Sequence, residues 1–295
     1  MLFPPPFCLK QKVYRGLRLL CWFLLGFVLL TPGFSITVSA EGGPTPQATT
    51  ATETGVKYFR KVSLSLSLSI PPYILTDSSR GAELDIVREA MALEGYEIST
   101  HYVPNKRRNI DYSRGNTDGV LTISKDEQLP GYYTQSYITY QNVAISLKNK
   151  AYQIQEIPDL QGKRVIAFQT ASVVLGAEFA DFTSNNKSYF EHSRQLDHLA
   201  KLFGGHIDVV VGDINILNWL VKNGGYSPKI NKDQPLTVHS IFSPDLKYAV
   251  FHDAEITQAF DRGIAALKKS GRYDVILKEY DVYRGQNEDL LREGT

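Results

Sequence analysis

Six side chains sit where predicted strands or helices end and polar groups can converge: Tyr73, Arg107, Thr122, Ser124, Ser172 and Asp213. Tyr73 closes the run Ser69-Ile-Pro-Pro-Tyr73, where its ring could pack on a solute and its hydroxyl bond to it. Thr122 and Ser124 follow the apolar pair Val120-Leu121, a place that also suits plain turn chemistry. Ser172 opens a helical stretch after Gln169-Thr170-Ala171. The unpaired N–H groups there attract an anion, and the serine could equally act as a simple cap. Asp213 follows Val209-Val210-Val211-Gly212 and precedes a helical stretch, so its carboxylate either reaches a ligand or caps that helix. Arg107, in Val103-Pro-Asn-Lys-Arg-Arg108, reads as a guanidinium entering the site from a neighbouring loop or as part of a solvated basic surface. Asp118 reads as a structural turn residue.

This is chemistry of binding. The sequence has no Gly-x-Ser-x-Gly elbow, no His-Glu-x-x-His, no phosphate loop and no Gly-x-Gly-x-x-Gly. Its histidines, at 101, 192, 198, 206, 239 and 252, lack paired ligand spacing, so no metal site is expected. Glu83, Asp85 or Glu127 could serve as a general acid or base, but each reads more simply as a helix-start or surface carboxylate. No motif calls for a cofactor.

The elements that must hold these residues form an α/β pattern. Residues 1–40 carry four bases and no acid, then the apolar run 19–30, Pro32-Gly33 and Val38-Ser39-Ala40. That is the layout of a signal peptide cut after Ala40, with a retained membrane anchor as the competing reading. Both cysteines, Cys8 and Cys21, fall in this segment, so no disulfide or thiolate site is expected in the mature chain. Beyond residue 40 the chain has 28 Lys and Arg against 31 Asp and Glu, which gives no electrostatic reason to bind nucleic acid. Residues 41–56 are polar and low in complexity, a flexible linker. From Lys61, Val62, Leu64, Leu66, Leu68 and Ile70 alternate with serines, a strand ended by Pro71-Pro72. A helix is expected over 82–94, ended by Gly95, and a strand over 97–103. Further strands are expected at 120–123, 142–147, 164–168, 208–211 and 248–251, with helices near 173–183, 194–204, 214–223, 254–269 and 271–280. Strands alternating with helices predict largely parallel sheets.

The ordered segments Ser69–Tyr73, Gly81–Ile86, Asn116–Ser124, Gly162–Ser172, Gly205–Asp213 and Ser270–Tyr280 together resemble the bacterial extracellular solute-binding proteins of family 3, the type serving polar amino-acid uptake by ABC transporters. The resemblance spans about residues 61–284. It implies a type II periplasmic-binding-protein fold: two α/β lobes joined by two crossing strands, with a ligand cleft between them. One lobe would comprise 57–140 plus 246–295 and the other 141–245, with crossing strands near 137–143 and 239–248. In the family, the region matching Thr122 and Ser124 meets the ligand's carboxylate, and the acid matching Asp213 takes its amino group. The amino-acid binders also place a carboxylate-gripping arginine just after that region. Here the chain reads Lys125-Asp-Glu-Gln-Leu-Pro130, with no arginine from 115 to 163. Lysine does not reproduce that bidentate grip, so the open readings are that Lys125 or Arg107 takes its place, or that the solute lacks an α-carboxylate and is not a standard amino acid.

The resemblance therefore implies a monomeric, non-enzymatic periplasmic protein that delivers a small polar or amino-acid-like solute to an inner-membrane ABC permease. Two alternatives share the fold. One is a periplasmic sensor that presents its closed form to a membrane receptor. The other is a dehydratase-like enzyme or a lytic transglycosylase, the latter expected to need a lysozyme-like domain that this sequence is not expected to carry.

Overall fold

The computed structural model describes residues 60–283. The expected export segment, the linker over 41–56, both cysteines and the residues beyond 283 lie outside the described residues.

Two mixed sheets make up the fold. The strands are β1 (Arg60–Ser67), β2 (Tyr96–Val103), β3 (Gly119–Ile123), β4 (Tyr132–Tyr133), β5 (Ile138–Tyr140), β6 (Asn142–Leu147), β7 (Val165–Phe168), β8 (Tyr189–His192), β9 (Val209–Asp213), β10 (Leu236–His239) and β11 (Asp245–Phe251). The helices are α1 (Ala82–Leu93), α2 (Asn105–Ser113), α3 (Ala171–Val174), α4 (Ala177–Asn185), α5 (Gln195–Phe203), α6 (Ile214–Asn223), α7 (Ala254–Ser270) and α8 (Arg272–Glu279). The first sheet runs β2-β1-β3-β11-β4 with β5 also on β11, and the second runs β10-β6-β9-β7-β8. Each keeps a parallel centre, β2-β1-β3 in one and β8-β7-β9 in the other. Antiparallel strands that arrive by the crossing segments then extend it, so the sheets are less parallel than the sequence pattern predicts.

Burial explains the strand sequences. In β9, Val210 packs with Ile145, Ile166 and Leu217 on one face, while Val209 and Val211 pack with Phe179 and Phe242 on the other. A strand covered on both faces reads as a continuous apolar run. In β1, Val62, Leu64 and Leu66 enter the first core beside Leu84, Val87 and Met91 of α1. Each such side chain contributes about 1.5–3 kcal/mol on burial. The strand ends at Ser67, short of the expected Ile70, because Leu68 already stands half in solvent. Helix α7 crosses α1 so closely that a Cβ on Gly263 would lie 2.2 Å from the Ala90 carbonyl oxygen. The helix expected near 173–183 is broken into α3 and α4 by Gly176, whose φ of 90° no helix tolerates.

The chain crosses between the sheets twice. After β5, which pairs with β11, Gln141 leads directly into β6 of the second sheet. The chain returns from β10 to β11 through residues 240–244. These two passages bring the mouths of the sheets together.

Candidate functional site

Asp213 ends β9 and caps α6. Its Oδ1 accepts from the backbone N–H groups of Asn215 and Ile216 at 3.0 Å each, and its Oδ2 from the N–H of Gln141 at 2.8 Å. The Tyr73 hydroxyl donates to the same carboxylate at 3.2 and 3.3 Å, and Asn215 Nδ2 donates to the Tyr73 oxygen at 3.0 Å. Burial pushes the Asp213 carboxyl up to about 6, although these donors oppose the shift. Tyr73 is itself fully buried, its ring stacked on Tyr140 with centroids 4.1 Å apart. Its position is fixed from the start of α1, where the N–H of Glu83 donates to the Tyr73 carbonyl at 3.1 Å. Gly81 permits that approach: at φ 130°, a Cβ there would lie 2.2 Å from the Tyr73 carbonyl oxygen. Burial drives the Tyr73 hydroxyl well above its ordinary range, so it stays a donor.

Behind the tyrosine stack lies a second buried carboxylate. Glu83 Oε1 accepts from Thr122 Oγ1 at 2.6 Å and from the Tyr137 hydroxyl, and Oε2 accepts from Tyr140 at 2.8 Å. Thr122 takes a left-handed backbone, φ 59°, unusual for a β-branched residue. Its own N–H donates to the Tyr137 oxygen at 3.1 Å.

A third carboxylate serves the second sheet. Glu191 of β8 accepts from the N–H of Thr170 at 2.7 Å, the N–H of Ser172 at 2.8 Å and the Tyr189 hydroxyl at 2.9 Å. Burial pushes this carboxyl up, but the donors together outweigh it and hold it below its ordinary value.

Arg107, singled out by the sequence, and its neighbour Arg108 part company. Arg107 is exposed on α2, its Nε 2.7 Å from Asp111, with His101 on the same carboxylate. Its neighbour Arg108 is the buried one. It reaches Ser67 Oγ at 3.2 Å, the carbonyls of Leu121 and Thr122 at 3.3 Å each, and Glu127 at 2.9 Å. Thus a guanidinium does lie under the segment 121–127, but its donors are engaged within the protein. Ser124 receives a hydrogen bond from the buried Lys247 of β11 at 2.9 Å, and that ammonium also sits 2.6 Å from Asp245. Lys125 lies over the Tyr248 ring at 4.9 Å.

A pocket of about 550 Å³ opens beside these groups, at the crossing strands and between the sheets. Ser124, Lys125 and Asp126 line it from the first sheet, and Leu175 and Glu178 from the second. Leu246 of β11 lines it as well. Among the described residues, Asp126 and Glu178 have no hydrogen-bonded or ion-paired partner.

Of the six residues singled out by sequence, the fold thus joins Tyr73 directly to Asp213 and places Thr122 one layer behind them. Ser124 lines the pocket, Ser172 is tied to Glu191, and Arg107 lies on α2 paired with Asp111. Asn215, Glu191, Arg108 and Lys247 carry the local geometry without having been singled out. Only Asn215 had a usable signal, as the second residue of a helix after a capping aspartate.

No protein-family model matches the chain, and no curated protein does. Solved structures do. A histidine kinase sensor domain with similarity to periplasmic binding proteins superposes with a TM-score of 0.61 at 18% identity, covering 76% of this chain and 97% of its own. AbpA of Streptococcus pneumoniae, an amino acid ABC transporter substrate-binding protein bound to L-arginine, gives 0.57 at 18%, covering 75% and 94%. The GluR0 ligand-binding core in complex with L-glutamate gives 0.59 at 14%, covering 75% and 97%. At such identities the likeness establishes architecture. The chain has the type II periplasmic-binding-protein fold, two α/β lobes joined by crossing strands around a cleft.

Proposed function

We propose that this protein is a periplasmic solute-binding protein that captures a small polar or amino-acid-like solute for an ABC permease. The observation that carries this reading is the pocket of about 550 Å³ at the crossing strands, bordered by both sheets. Ligands of open α/β sheets bind beyond the carboxyl ends of the strands, and Ser124–Asp126 stands at that end of β3. A solute touching both lobes favours whichever form brings them together, which is the basis of capture.

The lining has its own chemistry. Asp126 and Glu178 face the pocket from opposite lobes without internal partners, and Leu175 and Leu246 supply apolar surface. That combination suits a solute with a cationic or strongly donating group on a short apolar body. The nearby guanidinium of Arg108 is engaged by Glu127 and by main-chain carbonyls, and the buried Lys247 by Asp245 and Ser124, which leaves Lys125 in the lining as the cation for any carboxylate.

Thermal unfolding of the purified protein against amino acids, polyamines, organic acids and small sugars tests the reading. A solute at a hundredfold excess over its Kd stabilises by about 2.7 kcal/mol and should raise the Tm by roughly 5–10 °C. Asp126→Asn should then weaken that solute. A flat response across the whole panel overturns capture of a small solute.

The histidine kinase sensor domain among the solved likenesses favours a second reading, in which the same lobes report solute to a membrane receptor. Deleting the gene separates the two. Loss of solute uptake supports delivery, whereas intact uptake with a lost transcriptional response supports sensing.

A further inference from the structure

The polar groups best placed to seize a solute deep in the cleft bond to each other across the lobes. Tyr73 belongs to the first lobe, where it lies in the core with Leu66 and Leu84. Asp213 and Asn215 belong to the second, at the end of β9 and the start of α6. Asn215 ties in the far end of the described chain as well: its Nδ2 donates to the Tyr283 carbonyl at 3.2 Å, and its Oδ1 accepts from the Tyr283 N–H at 3.0 Å. Apolar packing follows the same line. Ile214 and Leu217 of α6 enter the core of the second lobe, while Ile216 enters that of the first. Helix α6 is therefore shared between lobes, with a buried hydrogen-bonded node at its N-terminus.

We propose that Tyr73, Asp213 and Asn215 form an interlobe latch that makes the closed form the resting state, with solute acting at the outer pocket beside Asp126 and Glu178. The latch consists of protein groups alone. Asp213 already takes four donors, from Tyr73, Gln141, Asn215 and Ile216. An incoming ammonium would reach the carboxylate only by displacing the Tyr73 hydroxyl. A buried group that loses its partner pays the full desolvation penalty, so the exchange is unfavourable unless the solute replaces the whole node. The outer pocket carries no such cost, because its carboxylates are exposed and unpartnered among the described residues. The placement of the solute rests on the capture reading, whereas the latch itself does not.

The test is the distance between spin labels on the full chain in detergent, with no solute added. Glu97→Cys on β2 and Lys187→Cys after α4 put one exposed label on each lobe, in a background where Cys8 and Cys21 are changed to Ser. The parent should give a dominant short-distance population with at most a few per cent at long distance. Tyr73→Phe keeps the ring on Tyr140 and removes only the hydroxyl, and Asn215→Ala removes the bonds to Tyr73 and Tyr283. Each should raise the ratio of long to short distances about tenfold. A parent in which the long distance is the majority, or a ratio unchanged in both variants, overturns the latch. Because no solute is present, this outcome is independent of the thermal panel.

Discussion

The two lobes solve the same local problem in different solvents. At the mouth of each sheet a threonine takes a left-handed backbone, Thr122 at φ 59° and Thr170 at φ 72°. For a β-branched residue this conformation costs of the order of 1–3 kcal/mol, so the surroundings must hold it in place. In each lobe a carboxylate of the same lobe does so, Glu83 through the Thr122 hydroxyl and Glu191 through the Thr170 N–H. Glu83 is fully buried, its acceptors filled by hydroxyls of Thr122, Tyr137 and Tyr140. Glu191 lies at a strand edge, partly open to water, and two of its three donors are backbone groups that water could also serve. The first lobe has built its carboxylate into the core, and the second has left its own at the rim. A rigid lobe and a more yielding one are the expected consequence.

Glu83→Ala probes the rigid side and should have the largest effect. Three hydroxyls lose a buried acceptor and a cavity opens among tyrosines, so unfolding in urea should show a loss of about 4 kcal/mol. Glu83→Gln, which keeps one acceptor oxygen, should cost about half of that. A loss for Glu83→Ala below about 1 kcal/mol would erase the contrast between the lobes.

Asp213 lies between the two cases: it is buried like Glu83 but tied to both lobes. The groups facing it are the Tyr73 hydroxyl and the N–H groups of Gln141, Asn215 and Ile216, with Glu83 beyond the Tyr73–Tyr140 stack. Burial raises this carboxyl from 3.8 to about 6, so the folded protein holds the proton more tightly than the unfolded chain does. Its contribution to stability is therefore fully present below about pH 4 and is lost as pH rises through about 6, a total of about 3 kcal/mol. Urea midpoints across that window should fall with rising pH in the parent, and the part of the slope due to this group should vanish in Asp213→Asn. Parallel slopes in the two proteins would mean that Asp213 is not held in the buried environment that distinguishes the latch.

The architecture was legible in the sequence wherever side-chain period reports burial. The apolar run at 209–212, the helix over 214–223 and the helix over 82–94 all reappear within a residue or two, because each is covered on a face its pattern encodes. Helix α2 was not legible, since its residues, Asn105–Ser113, are largely polar. The short strands β8 and β10 were missed for a related reason. They are edge strands of four residues each, too short for alternation to stand out. The site was legible as a set of strand and helix ends, but not in its pairings. Tyr73 and Asp213 were each legible as a residue at the end of a strand, yet nothing local says that residues 140 apart in sequence bond to each other. The choice between Arg107 and Arg108 depends on the rotation of a helix the sequence did not announce. Lys247 and Glu191 lie inside strands, where the pattern marks them only as polar positions.

The smallest effect is expected at the yielding rim. Glu191→Ala leaves the N–H groups of Thr170 and Ser172 free to take water, and the Tyr189 hydroxyl loses one partner. Stability should therefore fall by no more than about 1 kcal/mol in urea, against about 4 for Glu83→Ala. The pH dependence gives a sharper reading than the magnitude. Glu191 is held below its ordinary value, so its contribution is present above the unfolded pKa of about 4.5 and is lost as pH falls through the lower folded value. That is opposite in sign to the Asp213 effect. Urea midpoints of Glu191→Ala and the parent should thus converge as pH falls below about 4.5. The parent should instead gain on Asp213→Asn as pH falls from about 6 to about 4 and hold a constant offset below that. If Glu191→Ala instead costs as much as Glu83→Ala, the second lobe is as tightly built as the first, and the division into a rigid lobe and a yielding one fails.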